Sequence, residues 1–190
     1  MKKQILLGVL AILITTPVVA LPGAGNYGGA LVSARNRGRQ QDSAANLKQI
    51  ATAIMMYGMD NDDKFPDSFT GCVSYLSGNT HIFVAAGDRV SKAAASGAPI
   101  KKNNTSFAYI GKGLTLRSVG DASEAPIAFE KPQLFSKNQP LCVLYADGHV
   151  ERVTVPVSAR KNSAATAAYL AKRMSKDIQK IMKKNAAAED

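Results

Sequence analysis

The chain of 190 residues contains no tryptophan, two histidines and two cysteines, and aromatic residues make up only 6% of it. Each shortage excludes something. A core must be built from Leu, Ile, Val, Ala and Met, within the 46% of hydrophobic residues. A hydrolytic site sets an imidazole beside a nucleophile and a carboxylate. Only His81 and His149 could supply one, and neither a GxSxG nor an HExxH motif occurs. Asp147 lies two residues from His149, but both fall in a tight turn that backbone geometry already explains. Neither Cys72 nor Cys142 belongs to a CxxC pair, so zinc and redox-motif readings have no support. Gly111-Lys112-Gly113 is too short for a phosphate-binding loop and reads as a strand-end turn.

Acidic residues are also scarce. Lys and Arg number 24 against 14 Asp and Glu, a formal charge of +10. Such a balance favours anionic partners without selecting one. Aromatic interleaving, the mark of single-strand stacking, is absent around the basic residues, which argues against nucleic acid.

The first twenty residues read as an address. Met1-Lys2-Lys3 is basic, Ile5 to Ile14 is apolar, and Thr15-Thr16-Pro17 breaks the run. Val18-Val19-Ala20 places small residues before a signal-peptidase cut after Ala20. The run is shorter than the roughly 20 apolar residues that cross a bilayer. Residues 1–20 are therefore expected to be a signal peptide or membrane anchor, and 21–30 a Gly-rich linker. The expected location is exported: periplasmic, inner-membrane-anchored or extracellular.

A helix is predicted from Asp42 or Ser43, either of which can act as N-cap. Leu47, Ile50, Ile54 and Tyr57 recur at helical spacing on one face. Asp60 to Asp63 and Phe65-Pro66 end it. Val73–Leu76, His81–Ala85, Phe107–Ile110 and Ala125–Glu130 read as short strands. Leu141–Ala146 and Val150–Val155 flank Asp147-Gly148, the favoured sequence of a type I′ hairpin turn with positive φ at both central residues. A single amphipathic helix is predicted over 163–184, with Leu170, Met174, Ile178 and Ile181 on one side. Lys172, Arg173, Lys176, Lys180 and Lys183 lie on the other, a pattern shared with helices that lie on membranes.

Asp60, Asp62 and Asp63 are candidate oxygen ligands for calcium, which prefers carboxylates. The Gly and distant Glu of an EF-hand are missing, and a solvated acidic turn explains the run as well. Cys72 and Cys142 could pair in an oxidising compartment, restricting the unfolded chain by roughly 4 kcal/mol. Two buried free thiols fit the sequence equally.

The stretch from Leu31 resembles the bacterial prepilin-type, or type II secretion pseudopilin-like, family. Leu31, Ala34, Arg35 and Arg39 match an L-S-K-A-R-E-K-A-R pattern, and Asn46-Leu47-Lys48-Gln49-Ile50 matches N-L-K-Q-I. Met56 to Pro66 is similar to a Y-A-D-D-N-D-G-K-F-P-like run. Phe107 to Leu114, Pro126 to Pro132 and Val143 to Val150 resemble later family segments, the last a V-L-F-A-D-G-H-V hairpin, in the same order. The family precursor is cut after a Gly followed by F-T-L-I-E. Gly8 is the matching candidate, so Gly8 and Ala20 are alternative processing sites, although Leu13 stands where the Glu would be.

The resemblance implies an α+β, pilin-like fold over 31–157: an N-terminal amphipathic helix on a small antiparallel sheet. The periodicity adds a basic C-terminal helix and tail over 158–190. The resemblance implies no enzymatic activity and no cofactor. The expected role is a structural or assembly subunit of a type II secretion or type IV pilus-like system. Its partners would be other pilin-like or secretion-system subunits; the apolar side of the basic C-terminal helix could dock on the sheet, on a partner or on a membrane surface. The alternative is a periplasmic or secreted binding module that holds a polysaccharide or other anionic ligand.

Overall fold

The computed structural model describes residues 27–189, and the fold is α+β. The expected processing sites, Gly8 and Ala20, lie outside the described residues. One long helix, α1 (Tyr27–Asp60), leads into a region of short 3-10 turns. A four-stranded antiparallel sheet follows: β1 (Phe107–Tyr109), β2 (Pro126–Glu130), β3 (Leu141–Tyr145) and β4 (Val150–Val153), side by side in chain order. Two helices close the chain, α2 (Ser163–Leu170) and α3 (Lys176–Ala187).

The helix starts well before the Asp42 or Ser43 cap expected from sequence, and it takes up Tyr27 to Ala30 of the expected Gly-rich linker. Gly29 and Gly38 cost it roughly 1 kcal/mol each relative to Ala. Its second half explains its stability. Ser43, Leu47, Ile50, Ala51, Ala53, Ile54 and Gly58 are buried on one face, at the spacing that one side of a helix requires. Leu47 and Ile50 are fully buried, and the face packs on β3 and β4. Between Gly29 and Asp42 no residue is buried, and Leu31 and Val32 are 70% and 60% exposed.

The helix ends where acidic residues make ending easy. Asp62 and Asp63 adopt φ of 56° and 60°, a left-handed region that Asp and Asn tolerate better than other non-Gly residues. The Asn61 amide donates to the Tyr57 carbonyl at 2.8 Å, and the Asp63 N–H to that of Gly58 at 3.0 Å. These bonds satisfy terminal carbonyls that the helix itself leaves open.

Two of the expected strands are absent. Ser74–Leu76 and His81–Phe83 form 3-10 turns, separated by left-handed Ser77 and Gly78. Phe69, Cys72, Ile82 and Phe83 still point into the core, so their hydrophobicity is used without the sheet. Phe69 rings meet those of Phe83 and Tyr109 at 5.1 and 5.0 Å, concentrating the few aromatics in one place.

The expected hairpin is present, with a different turn. Asp147 is not in the positive-φ region, and only Gly148, at 88°, is. Gly148 N–H donates to Tyr145 O and Tyr145 N–H to His149 O, which makes a three-residue loop with a Gly bulge. A Cβ on Gly148 would also come within 2.9 Å of the Met55 side chain of α1.

The single C-terminal helix expected over 163–184 is two. Met174 is extended (ψ 162°), and the Ser175 hydroxyl accepts from Ile178 N–H to start a new helix. Both pieces belong to the body rather than being appended to it. Ala167, Ala171, Met174, Met182 and Ala186 share the core with the sheet. β1 and β2 are buried at every position and β3 at all but Tyr145, so the strands are covered on both faces. Replacing Ile50 by Ala should therefore cost about 2–5 kcal/mol in chemical denaturation. Met59→Ala, on the opposite and 82% exposed side, should stay within about 0.5 kcal/mol.

Candidate functional site

Two features of the architecture invite a functional reading: the uncovered half of α1, and the polar groups buried where α1, the sheet and the C-terminal helices meet. The first comes directly from burial. Residues 29–35 and Arg37 are exposed, and nothing in the described body covers Leu31, Val32, Arg35 or Arg37. Only Asn36, Arg39 and Gln40 approach the body, along a cleft shared with Gly87, Glu130 and Pro140.

At the floor of that cleft sits Glu130, 2% exposed, at the end of β2. Its carboxylate accepts the Cys142 N–H of β3 at 2.8 Å and a hydrogen bond from the Ser43 hydroxyl of α1. One side chain thus ties the helix to two strands. Burial raises its pKa, against the opposing effect of those bonds and of Arg160. Cys142 Sγ in turn donates to the Gln40 carbonyl of α1 at 3.5 Å.

The next residue, Lys131, reaches the other way. Its Nζ donates to the Lys102 carbonyl at 2.7 Å and lies 3.5 Å from the Glu189 carboxylate. Glu189 also accepts from the Tyr109 N–H, and the Asn185 amide donates to the carbonyls of Ile110 and Lys112 at 3.0 and 2.9 Å. These contacts cap β1, an edge strand whose outer groups would otherwise be open to pairing. Burial raises the Glu189 pKa as well, with Lys131 opposing it.

A separate cleft of about 460 Å³ lies between the hairpin and α2. Tyr145, Val153, Tyr169 and Leu170 give it apolar walls, and Glu124 and Arg173 are paired across it at 2.6 Å. Lys172 stands 4.7 Å above the Tyr169 ring.

The residues singled out in the sequence fall as follows. Asp60, Asp62 and Asp63 do not converge: Asp60 accepts from the Tyr75 hydroxyl at 2.7 Å, Asp62 pairs with Lys64, and Asp63 with Arg117. Among the described residues no group of three His, Cys, Asp or Glu is placed to hold a metal, so the expected calcium site is not assembled. Consecutive left-handed residues turn the carboxylates to different partners. Cys72 and Cys142 are both buried and free, the second of the two sequence alternatives. Burial pushes each thiol up to about 12. His149 Nδ1 lies 2.6 Å from the Asp147 carboxylate and its ring stacks on Tyr145, while His81 sits in a separate turn. The C-terminal cations remain exposed, and the stripe, for which the sequence allowed the sheet, a partner or a membrane surface, is turned inward. Met174 and Met182 are buried and Leu170 and Ile178 half-buried, leaving Ile181 at the surface.

Glu130, Lys131, Arg160 and Asn185 were not legible as a functional set. The one local signal was two adjacent charges, Glu130-Lys131, closing an otherwise apolar strand. Among the described residues no helix is long and apolar enough to cross a membrane. Comparison with protein-family models, curated proteins and solved structures finds no match.

Three measurements follow. At neutral pH, native protein should leave both cysteines unmodified by a thiol reagent and expose two after unfolding, since the thiolate is the reactive form. Because Glu130 and Glu189 are raised in the fold, the stability they contribute is full below the ordinary carboxylate value of 4.5 and is lost as pH rises through their elevated values. Denaturation between about pH 4 and about pH 8 should show that decline, and Glu130→Gln should flatten its own share. Asn185→Ala, which strips two carbonyls of their donor, should cost roughly 1–3 kcal/mol and raise amide exchange along β1.

Proposed function

We propose that this chain is a non-enzymatic assembly subunit of a bacterial cell envelope, with a pilin-like body built for packing against other subunits of a secretion or pilus-like system. The observation that carries the reading is the division of α1. Its second half is consumed by the sheet, while its first half carries exposed Leu31, Val32, Arg35 and Arg37 and lies downstream of the apolar N-terminal segment of the sequence. A polar helix without a covering partner gains little stability from its own hydrogen bonds. Leu31 and Val32 on such a helix are contacts in waiting for a neighbouring subunit or for the region where chain and membrane meet.

The order of motifs from Leu31 to Val150 supports the same reading, as does the antiparallel sheet lying on the helix. The body also suits a packing role. Lys131, Glu189 and Asn185 occupy the β1 edge, which disfavours lateral association through that strand. The exposed arginines would set register by charge with an acidic neighbour.

The second reading, a binding module, is favoured by the Tyr145–Tyr169 cleft, whose aromatic walls and paired charges suit a saccharide or another polar ligand.

Photo-crosslinking from position 31 or 32 in cells of the source bacterium separates the two. The assembly reading expects discrete crosslinked species that disappear when Leu31 and Val32 are changed to Ser. Monomer alone, with a soluble product cut after Ala20 in mass spectrometry, would remove it. Cleavage after Gly8 would strengthen it.

A further inference from the structure

From Gln4 to Ala34 the sequence holds no charged residue, and Arg35, Arg37 and Arg39 then follow in close succession. The fold gathers further cations around the point where these arginines meet the body. A Cβ added to Gly87 would lie 3.3 Å from Arg39 Cδ and 3.6 Å from the Phe135 ring, so the three are packed together. Gln40 donates to the Pro140 carbonyl at 3.4 Å and accepts from Arg152 of β4 at 3.5 Å. Arg89 follows Gly87 by two residues, and Phe135 also lines the pocket that Lys137 and Lys161 border. Arg89, Lys137, Arg152 and Lys161 are exposed, and none has an ion-pair partner among the described residues. Of the carboxylates near this end, Glu130 is buried, Asp88 is engaged by the Ser106 hydroxyl and the Val90 N–H, and Asp42 alone is fully open on α1.

The opposite end has the other sign. Where α1 stops and the hairpin turns over Met55, the surface carries Asp60, Asp62, Asp63, Asp121, Glu124 and Asp147. Charge is thus sorted along α1, basic where the helix enters the body and acidic where it ends. Two apolar side chains stand among the cations of the basic end: Val90, 74% exposed beside Arg89, and Val157, 54% exposed in the pocket with Lys137 and Lys161. A nucleic acid or an acidic protein accounts for the cations and leaves the valines unexplained. A layer of anionic headgroups accounts for both, since it pairs with lysine and arginine and admits shallow apolar side chains. The uncharged run before Arg35 leads away from this same end, so a bilayer met there gives it an apolar surrounding.

We propose that the basic end of the body docks on the anionic headgroups of a bilayer, with Arg89, Lys137, Arg152 and Lys161 as its charged contacts and Val90 and Val157 entering the headgroup layer. The inference rests on the envelope location of the assembly reading but needs no neighbouring subunit, so vesicle binding and subunit crosslinking fail separately.

Flotation of the full chain with phosphatidylcholine vesicles, and with vesicles of equal parts phosphatidylcholine and phosphatidylglycerol, tests this. The anionic vesicles should bind at least about tenfold more tightly at low salt, and the difference should shrink as salt rises. Binding through the apolar N-terminal residues is common to both vesicles and to every variant. Arg89→Gln with Lys137→Gln and Lys161→Gln should lower affinity for anionic vesicles at least about tenfold. Lys176→Gln with Lys180→Gln and Lys183→Gln removes the same charge from exposed positions on α3, and should lower it less than about twofold. The two native thiols are buried, so a dye can be placed on Val157→Cys or Leu116→Cys. The dye at 157 should shift to the blue on anionic vesicles; the dye at 116, next to Asp63 at the acidic end, should not. The proposal is overturned if neutral and anionic vesicles bind alike, if the two triple variants lose equally, or if the dye at 157 does not respond. Duplex DNA binding more tightly than the anionic vesicles, and weakened by the same Arg89, Lys137 and Lys161 changes, would also overturn it.

Discussion

Everything in this molecule depends on burying β2 and β3 from both sides. Their residues are closed off at all but one position, by α1 on one face and by the C-terminal helices near the other. The second half of α1 contributes Leu47, Ile50 and Ile54 to one side, and Ala167, Ala171, Met182 and Ala186 fill the core with small or flexible side chains from the other. Apolar area removed from water is worth about 25 cal/mol per Å², so a core without tryptophan reaches stability only by using both faces of a small sheet.

That two-sided burial creates the polar problem the fold then solves. Charges at the end of β2 cannot reach bulk water, so they are met by fixed partners. Glu130 takes Ser43 and the Cys142 N–H, and Lys131 takes the Lys102 carbonyl and Glu189. These bonds orient the elements rather than add much stability, because taking a charge out of water costs about as much as its pairing returns. Arg160 is the exception: two of its buried nitrogens have no acceptor among the described residues. The uncovered half of α1 is the exception on the surface, and the proposed assembly role rests on it.

The C-terminal segment shows a pattern with more than one physical outcome. A basic amphipathic stretch has the same sequence signature whether its apolar side meets a lipid surface, a partner or its own core. In this chain the apolar side meets the core, and Asn185 and Glu189 bind the β1 edge from the tail. The same holds for Val73–Leu76 and His81–Ala85. Their β-prone residues are buried, but left-handed Ser77 and Gly78 break the run between them into turns.

The sequence by itself determined the buried face of α1, the four strands of the sheet, the hairpin around Gly148 and the acidic end of the helix. Each is a local pattern: a helical spacing, an apolar run, a glycine where φ must be positive, or aspartates where a left-handed turn is tolerated. What only the tertiary structure decided were the relations between distant groups. The start of α1 far ahead of its core-facing stretch, the separation of Asp60, Asp62 and Asp63, the free state of Cys72 and Cys142, and the meeting of Glu130 with Ser43 all depend on where the chain returns in space. A hydrogen bond between residues far apart in the chain leaves no periodic mark in the sequence, because the fold, not the spacing, brings donor and acceptor within 3 Å of each other.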